Sequence, residues 1–286
     1  MPKFSAHDGT ELAYHLKGEG PPLVCLPGGP LRASAYFGDL GGLTAHRQLV
    51  LLDLRGSGDS AAPADPSAYR CDRLVHDVEA LREHLGLDRI DLLAHSAAGD
   101  LSLLYAARHP GRLSSLTLVT PVAQAAGIVI TDDERRAAAE LRSGEPWYDA
   151  ARTALDKLLD GGDAPELWAA IRPLAYGTWD AAAQELAARS ATERAGAEAR
   201  AQYWAEGAFD PPATVAALAA VDVPVLVLAG ELDSEPGAAR ARELAALFPH
   251  GEAAVQRGAA HFPWMDGAGA FVRTVAAFLD PEVRGG

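Results

Sequence analysis

The chain has 286 residues, a 49% hydrophobic composition and a formal charge of −14, enough for one large α/β core carrying an insertion. That acidity, with no basic run, argues against nucleic acid or an anionic membrane as partner, since phosphate recognition needs clustered Lys and Arg. No stretch nears eighteen apolar residues and the N-terminus lacks an apolar signal core, so a cytoplasmic protein is expected. Cys25 and Cys71 give neither a disulfide framework nor metal-ligand spacing, and no metal or organic cofactor is expected.

Residues 4–6 and 11–16 read as strands around His7-Asp8-Gly9-Thr10, whose Asp-Gly is a hairpin signal. Two short apolar runs follow. The first, 22–27, ends in Gly28-Gly29-Pro30; the second, 48–53, ends in Leu54-Arg55-Gly56-Ser57-Gly58-Asp59-Ser60. A helix is predicted from about Arg73 to Leu85, with Leu74, Val78, Leu81 and Leu85 on one face and Gly86 as its stop. Arg55 and the two glycines beside it are expected to hold their loop in shape.

The run 90–93 leads through Ala94-His95-Ser96-Ala97-Ala98-Gly99 into a helical pattern. A serine between strand and helix, with small residues two places before and after it, is the pattern of a nucleophile elbow: the turn is strained and neighbouring chain passes close by. Strands over 115–120, 223–228 and 252–256 and helices over 238–247 and about 268–279 complete the alternation. It implies a mostly parallel sheet covered on both faces, with the first hairpin adding antiparallel edge strands.

Between residues 121 and 213 the strand signals stop. The region is helical in composition, with turns at Ser143-Gly144, Gly161-Gly162 and Gly177 and four tryptophans: Trp147, Trp168, Trp179 and Trp204. An insertion of helices between two sheet strands reads as a cap. The expected organisation is therefore a core of 1–120 and 214–286 with a helical cap of 121–213.

A serine needs a base within hydrogen-bond reach and an acid to orient that base. The strand Val225–Leu228 continues into Ala229-Gly230-Glu231-Leu232-Asp233, delivering an acid just past its end, where open parallel sheets place functional groups. His261 follows the next strand in Gly258-Ala259-Ala260-His261-Phe262-Pro263-Trp264. Glu231, Glu235 and Asp266 are rival acids, and strand geometry sends Glu231 and Asp233 to opposite sides. His95 abuts Ser96, and packing beneath the elbow is its plain role. Gly29 and Ala97 are the candidate amide donors for an oxyanion hole, with Gly28 second to Gly29.

Five motifs in this order resemble the α/β-hydrolase superfamily, in the cap-bearing branch similar to proline iminopeptidases and small-molecule hydrolases. They are Leu26-Pro27-Gly28-Gly29-Pro30, the 53–60 segment, the Ser96 elbow, Gly230–Asp233 and His261–Trp264. The order Ser96, Asp233, His261 is also that of the superfamily. Pro27 stands where the family's oxyanion loop has histidine, and Leu31 where it has a final glycine. The resemblance implies an α/β-hydrolase fold and a small-molecule substrate. The aminopeptidases further resemble one another in cap glutamates that bind the substrate amine, a role open to Glu206 in Tyr203-Trp204-Ala205-Glu206-Gly207. Trp204, His95, Phe262 and Trp264 are the other candidate substrate contacts, able to line an apolar acyl pocket.

The leading expectation is hydrolysis of a small ester, lactone or amide, with activity falling below about pH 6 to 7 as His261 takes up a proton. Alternatives are an iminopeptidase, a non-hydrolytic tailoring enzyme (cyclisation, elimination or acyl transfer) and, least favoured, a ligand receptor without turnover.

Overall fold

The computed structural model describes residues 1–280. Eight strands form one sheet: β1 (Lys3–Ser5), β2 (Glu11–Lys17), β3 (Pro22–Leu26), β4 (Gln48–Leu52), β5 (Ile90–His95), β6 (Leu113–Val119), β7 (Val225–Gly230) and β8 (Gly251–Gln256). Their spatial order is β1-β2-β4-β3-β5-β6-β7-β8. β1 and β2 pair antiparallel, as do β2 and β4, while every pair from β4 to β8 is parallel. The predicted hairpin is thus the antiparallel edge of an otherwise parallel sheet.

Alternation along the strands builds two cores. In β3, Val24 and Leu26 face one cluster of buried side chains, while Leu23 and Cys25 face another. β4 divides Val50 and Leu52 from Leu49 and Leu51 in the same way, and β7 divides Val225 and Val227 from Leu226 and Leu228. Successive residues of a strand point to opposite faces, so a sheet covered on both sides needs unbroken apolar runs.

The helices are α1 (Cys71–His84), α2 (Ala98–Arg108), α3 (Asp132–Glu140), α4 (Tyr148–Leu159), α5 (Pro165–Ile171), α6 (Ala181–Arg189), α7 (Ala197–Tyr203), α8 (Pro211–Leu218), α9 (Ala238–Ala245), α10 (Pro263–Asp266) and α11 (Ala268–Leu279). Leu74, Val78 and Leu81 of α1 and Leu101 and Leu104 of α2 pack on the first face. Phe271, Val275 and Phe278 of α11 cover the second. α1 stops where Gly86 adopts a φ of 67°, the left-handed conformation that suits glycine after a helix.

α3 to α8 occupy the interval between β6 and β7. α3 starts from a capping box in which Thr131 and Glu134 bond each other's backbone. The boundary expected at 213 falls inside α8, whose Leu218 joins the first cluster alongside Leu101 and Leu104 of α2. Tyr203 at the end of α7 joins the same cluster, so α7 and α8 both rest on the first core.

Candidate active site

Three loops at the ends of β5, β7 and β8 converge. Ser96 follows β5 with a φ of 56°, strain that a non-glycine residue sustains only where its surroundings fix it. Its N–H donates to the Val119 carbonyl at 3.1 Å, and its own carbonyl accepts from Gly99 at 2.8 Å and Val122 at 2.9 Å. Close approach is real on both sides. A Cβ on Gly28 would stand 2.6 Å from the Ser96 Cβ, and one on Gly99 would stand 2.3 Å from the Val122 carbonyl oxygen. The small residues flanking the serine were legible; that the tightest contact falls at Gly99 was not.

The Ser96 hydroxyl donates to His261 Nε2 at 2.9 Å, and His261 Nδ1–H donates to Asp233 Oδ2 at 2.8 Å. Asp233 Oδ1 accepts the Glu235 backbone N–H at 3.0 Å. Burial alone would push the His261 imidazole down, but the Asp233 carboxylate outweighs it and raises the pKa above the ordinary histidine value. Burial likewise raises Asp233, against the pull of His261. The arrangement can take a proton from Ser96 and hold the resulting imidazolium.

The rival acids lie elsewhere. Glu231 accepts from Gly258 N–H at 2.8 Å. Asp266 accepts from Ala260 at 2.8 Å and from Gly177 at 2.8 Å, bracing the histidine loop against the inserted segment. Glu235 forms an ion pair with Arg135 of α3.

His95 does not border the cavity beside Ser96 and takes the packing role expected of it. It is buried behind Ser96, where its Nε2–H donates to the His261 carbonyl at 2.8 Å and its Nδ1 accepts the Tyr36 hydroxyl at 2.7 Å. Tyr36 in turn accepts the Gly28 N–H at 2.9 Å. Burial holds the His95 pKa well below the usual value, so the ring is a neutral brace joining three loops. This relay also commits the Gly28 amide, which corrects Gly28 as a donor for an oxyanion. Among the described residues the Gly29 and Ala97 N–H groups meet no acceptor, and both residues border the cavity.

That cavity measures about 280 Å³ and opens beside Ser96. Pro121, Val122, Ile128, Val129, Ile130 and Leu244 give it an apolar wall, and Arg135, Glu235 and Arg240 a charged one. Trp204 lines it. Phe262 and Trp264 do not: they are buried in the second cluster, Phe262 stacked on Tyr176 with ring centroids 4.9 Å apart. Glu206 is exposed and lies outside the cavity, touching Arg70 through its backbone carbonyl. Arg135 and the 121–130 wall were missed because nothing local in the sequence says which face of an insertion turns toward the sheet, and Arg240 because nothing local says which face of α9 turns toward the cavity.

Comparison with known proteins adds three findings. A model of the alpha/beta hydrolase fold family matches residues 21–268. A proline iminopeptidase of Lactobacillus helveticus is 38% identical over 124 residues, 41% of this chain and 42% of that protein, so the match spans about two fifths of the relative's length. Among solved structures, an esterase from Rhodococcus sp. ECU1013 is similar with a TM-score of 0.74 at 27% identity, covering 97% of each chain. The enol-lactonase from Burkholderia xenovorans LB400 is similar with a TM-score of 0.68 at 26% identity, covering 97% of this chain and 99% of that one.

Proposed function

The chain belongs to the alpha/beta hydrolase fold family, and from that premise we propose that it is a serine hydrolase of a small ester, lactone or amide. The observation that carries this reading is the continuous line of hydrogen bonds from Asp233 through His261 to Ser96. In this reading Ser96 Oγ attacks the substrate carbonyl while His261 Nε2 takes its proton. Asp233 keeps Nδ1 protonated and the ring aimed. The tetrahedral oxyanion accepts hydrogen bonds from the Gly29 and Ala97 amides, two donors that need no reorganisation when charge develops. His261 then returns the proton to the leaving group, the C–O or C–N bond breaks, and Ser96 carries the acyl group. Water, deprotonated by His261, attacks the ester and releases the acid and free Ser96.

The esterase and the enol-lactonase among the structural neighbours support an ester or lactone substrate. The apolar wall over 121–130 suits the acyl chain, and the helices α3 to α7 serve as a cap that brings Arg135 and, just past α7, Trp204 to the cavity. The iminopeptidase reading is favoured by the 38% identity with the Lactobacillus relative. It loses Glu206 as an amine ligand, since that side chain lies outside the cavity.

Hydrolysis of p-nitrophenyl butyrate beside a prolyl anilide, with Ser96→Ala as control, tests both readings. Ester cleavage that the substitution removes is the expected result. Strong anilide cleavage would move the assignment to the aminopeptidase, and turnover that survives Ser96→Ala would overturn the serine mechanism.

A further inference from the structure

Asp100 lies four residues beyond Ser96 in α2, and none of its surface reaches solvent. Its two oxygens serve two different elements. Oδ1 accepts the Ala125 N–H at 2.8 Å, and Oδ2 accepts the Trp204 indole N–H at 3.3 Å. Ala125 sits in the turn after β6, whose neighbours Ala123 and Gln124 line the Ser96 cavity; Trp204 lines the same cavity from the end of α7. A second tie runs beside it, from the Tyr203 hydroxyl to the Ala97 carbonyl at 2.8 Å.

A carboxylate out of water is costly unless its oxygens are hydrogen-bonded, and the bonds that Asp100 makes all go to cavity walls. It makes none to Ser96 or His261, so the mechanism above leaves it unused. We infer that Asp100 is a positioning residue, a clamp that fixes the width of the acyl cavity by holding Trp204 and the 124–126 turn to the helix that begins at the nucleophile. The inference rests on the cavity being the acyl site.

The clamp is built to respond to pH. Burial pushes Asp100 up to about 6, with the Ala125 and Trp204 donors opposing it. The titratable groups facing it are Cys71 of α1 and Tyr203 of α7, both kept protonated by burial. Asp100 is then the member of this cluster that changes charge near neutrality. A proton on Oδ2, whose bond is the longer of the two, turns that acceptor into a hydroxyl and releases the indole N–H, while Oδ1 still accepts from Ala125.

Wild type, Asp100→Asn, Trp204→Phe and the double variant separate the possibilities. The emission of Trp204, taken as wild type minus Trp204→Phe, needs no turnover. It should titrate with a midpoint near pH 6, and Asp100→Asn should abolish the titration. With p-nitrophenyl butyrate, each single variant should raise KM by about three- to tenfold, the worth of one net hydrogen bond. kcat should move far less, and the double variant should be no worse than the worse single one. A titration that persists in Asp100→Asn, KM effects that multiply, or a lowered Tm with unchanged KM would each overturn the clamp. A wild type that titrates but hydrolyses nothing would instead count against the hydrolase reading, and the emission data would still decide for the clamp.

Discussion

His261 stands between two opposed influences, the burial that disfavours its charge and the Asp233 carboxylate 2.8 Å away that favours it. The carboxylate prevails, and the sign of the consequence follows. Protonated imidazole cannot accept the Ser96 proton, so activity is present above the His261 pKa and lost as pH falls through it. Because that pKa is raised above 6.5, the acid limb of kcat/KM for p-nitrophenyl butyrate should have its midpoint above 6.5, higher than the histidine reference alone suggests. Asp233→Asn should shift the limb downward and cost orders of magnitude in rate. A limb well below 6.5, or a flat profile down to pH 4, would remove His261 as the base. Chain order and the strand-to-loop positions were enough to single out Ser96, Asp233 and His261 from sequence. The braces around them were not legible. Tyr36 and Asp266 act through partners 59 and 89 residues away, and no local pattern marks such pairs. For His95, adjacency to Ser96 allowed both a substrate contact and packing beneath the elbow, and the buried ring takes the packing role.

At the scale of elements, apolar runs told strands apart because β3 to β7 are buried on both faces, and such runs leave a strong trace. The inserted helices left a weak one. α6 reads Ala-Ala-Ala-Gln-Glu-Leu-Ala-Ala-Arg, with Leu186 its single large apolar residue, so periodicity had little to register. Arg55 was expected to shape its own loop and does more. Its guanidinium, 1% exposed, binds Asp77 of α1 at 2.6 and 2.5 Å and also pairs with Asp8 in the β1–β2 turn. One side chain thus ties the edge hairpin to α1. Removing one partner of a buried pair leaves the other charged and without its counter-ion, which costs far more than the pair itself contributes. Asp77→Ala should therefore destabilise the fold by about 3–5 kcal/mol. Urea denaturation measures it, and a loss under about 1 kcal/mol would mean that Asp8 alone satisfies Arg55.

Across the whole molecule, no helix among the described residues is long and apolar enough to cross a membrane. What organises the chain is the sharing of strands between its two cores, and the two cysteines happen to report on one each. Cys25 of β3 belongs to the cluster with α11, and Cys71 of α1 to the cluster on the opposite face. Both are free thiols without exposed surface, and burial raises both well above the usual thiol range. The thiolate is the reactive form, so neither should react with dithionitrobenzoate in the native protein. Because neighbouring residues of β3, β4 and β7 alternate between the clusters, neither core can come apart while the other keeps its strands. Both thiols should accordingly become reactive in one transition as denaturant rises, at the midpoint given by the loss of helical circular dichroism. Reaction of a single thiol at lower denaturant, with helical signal retained, would show that one layer separates first and that the shared strands do not couple the two cores.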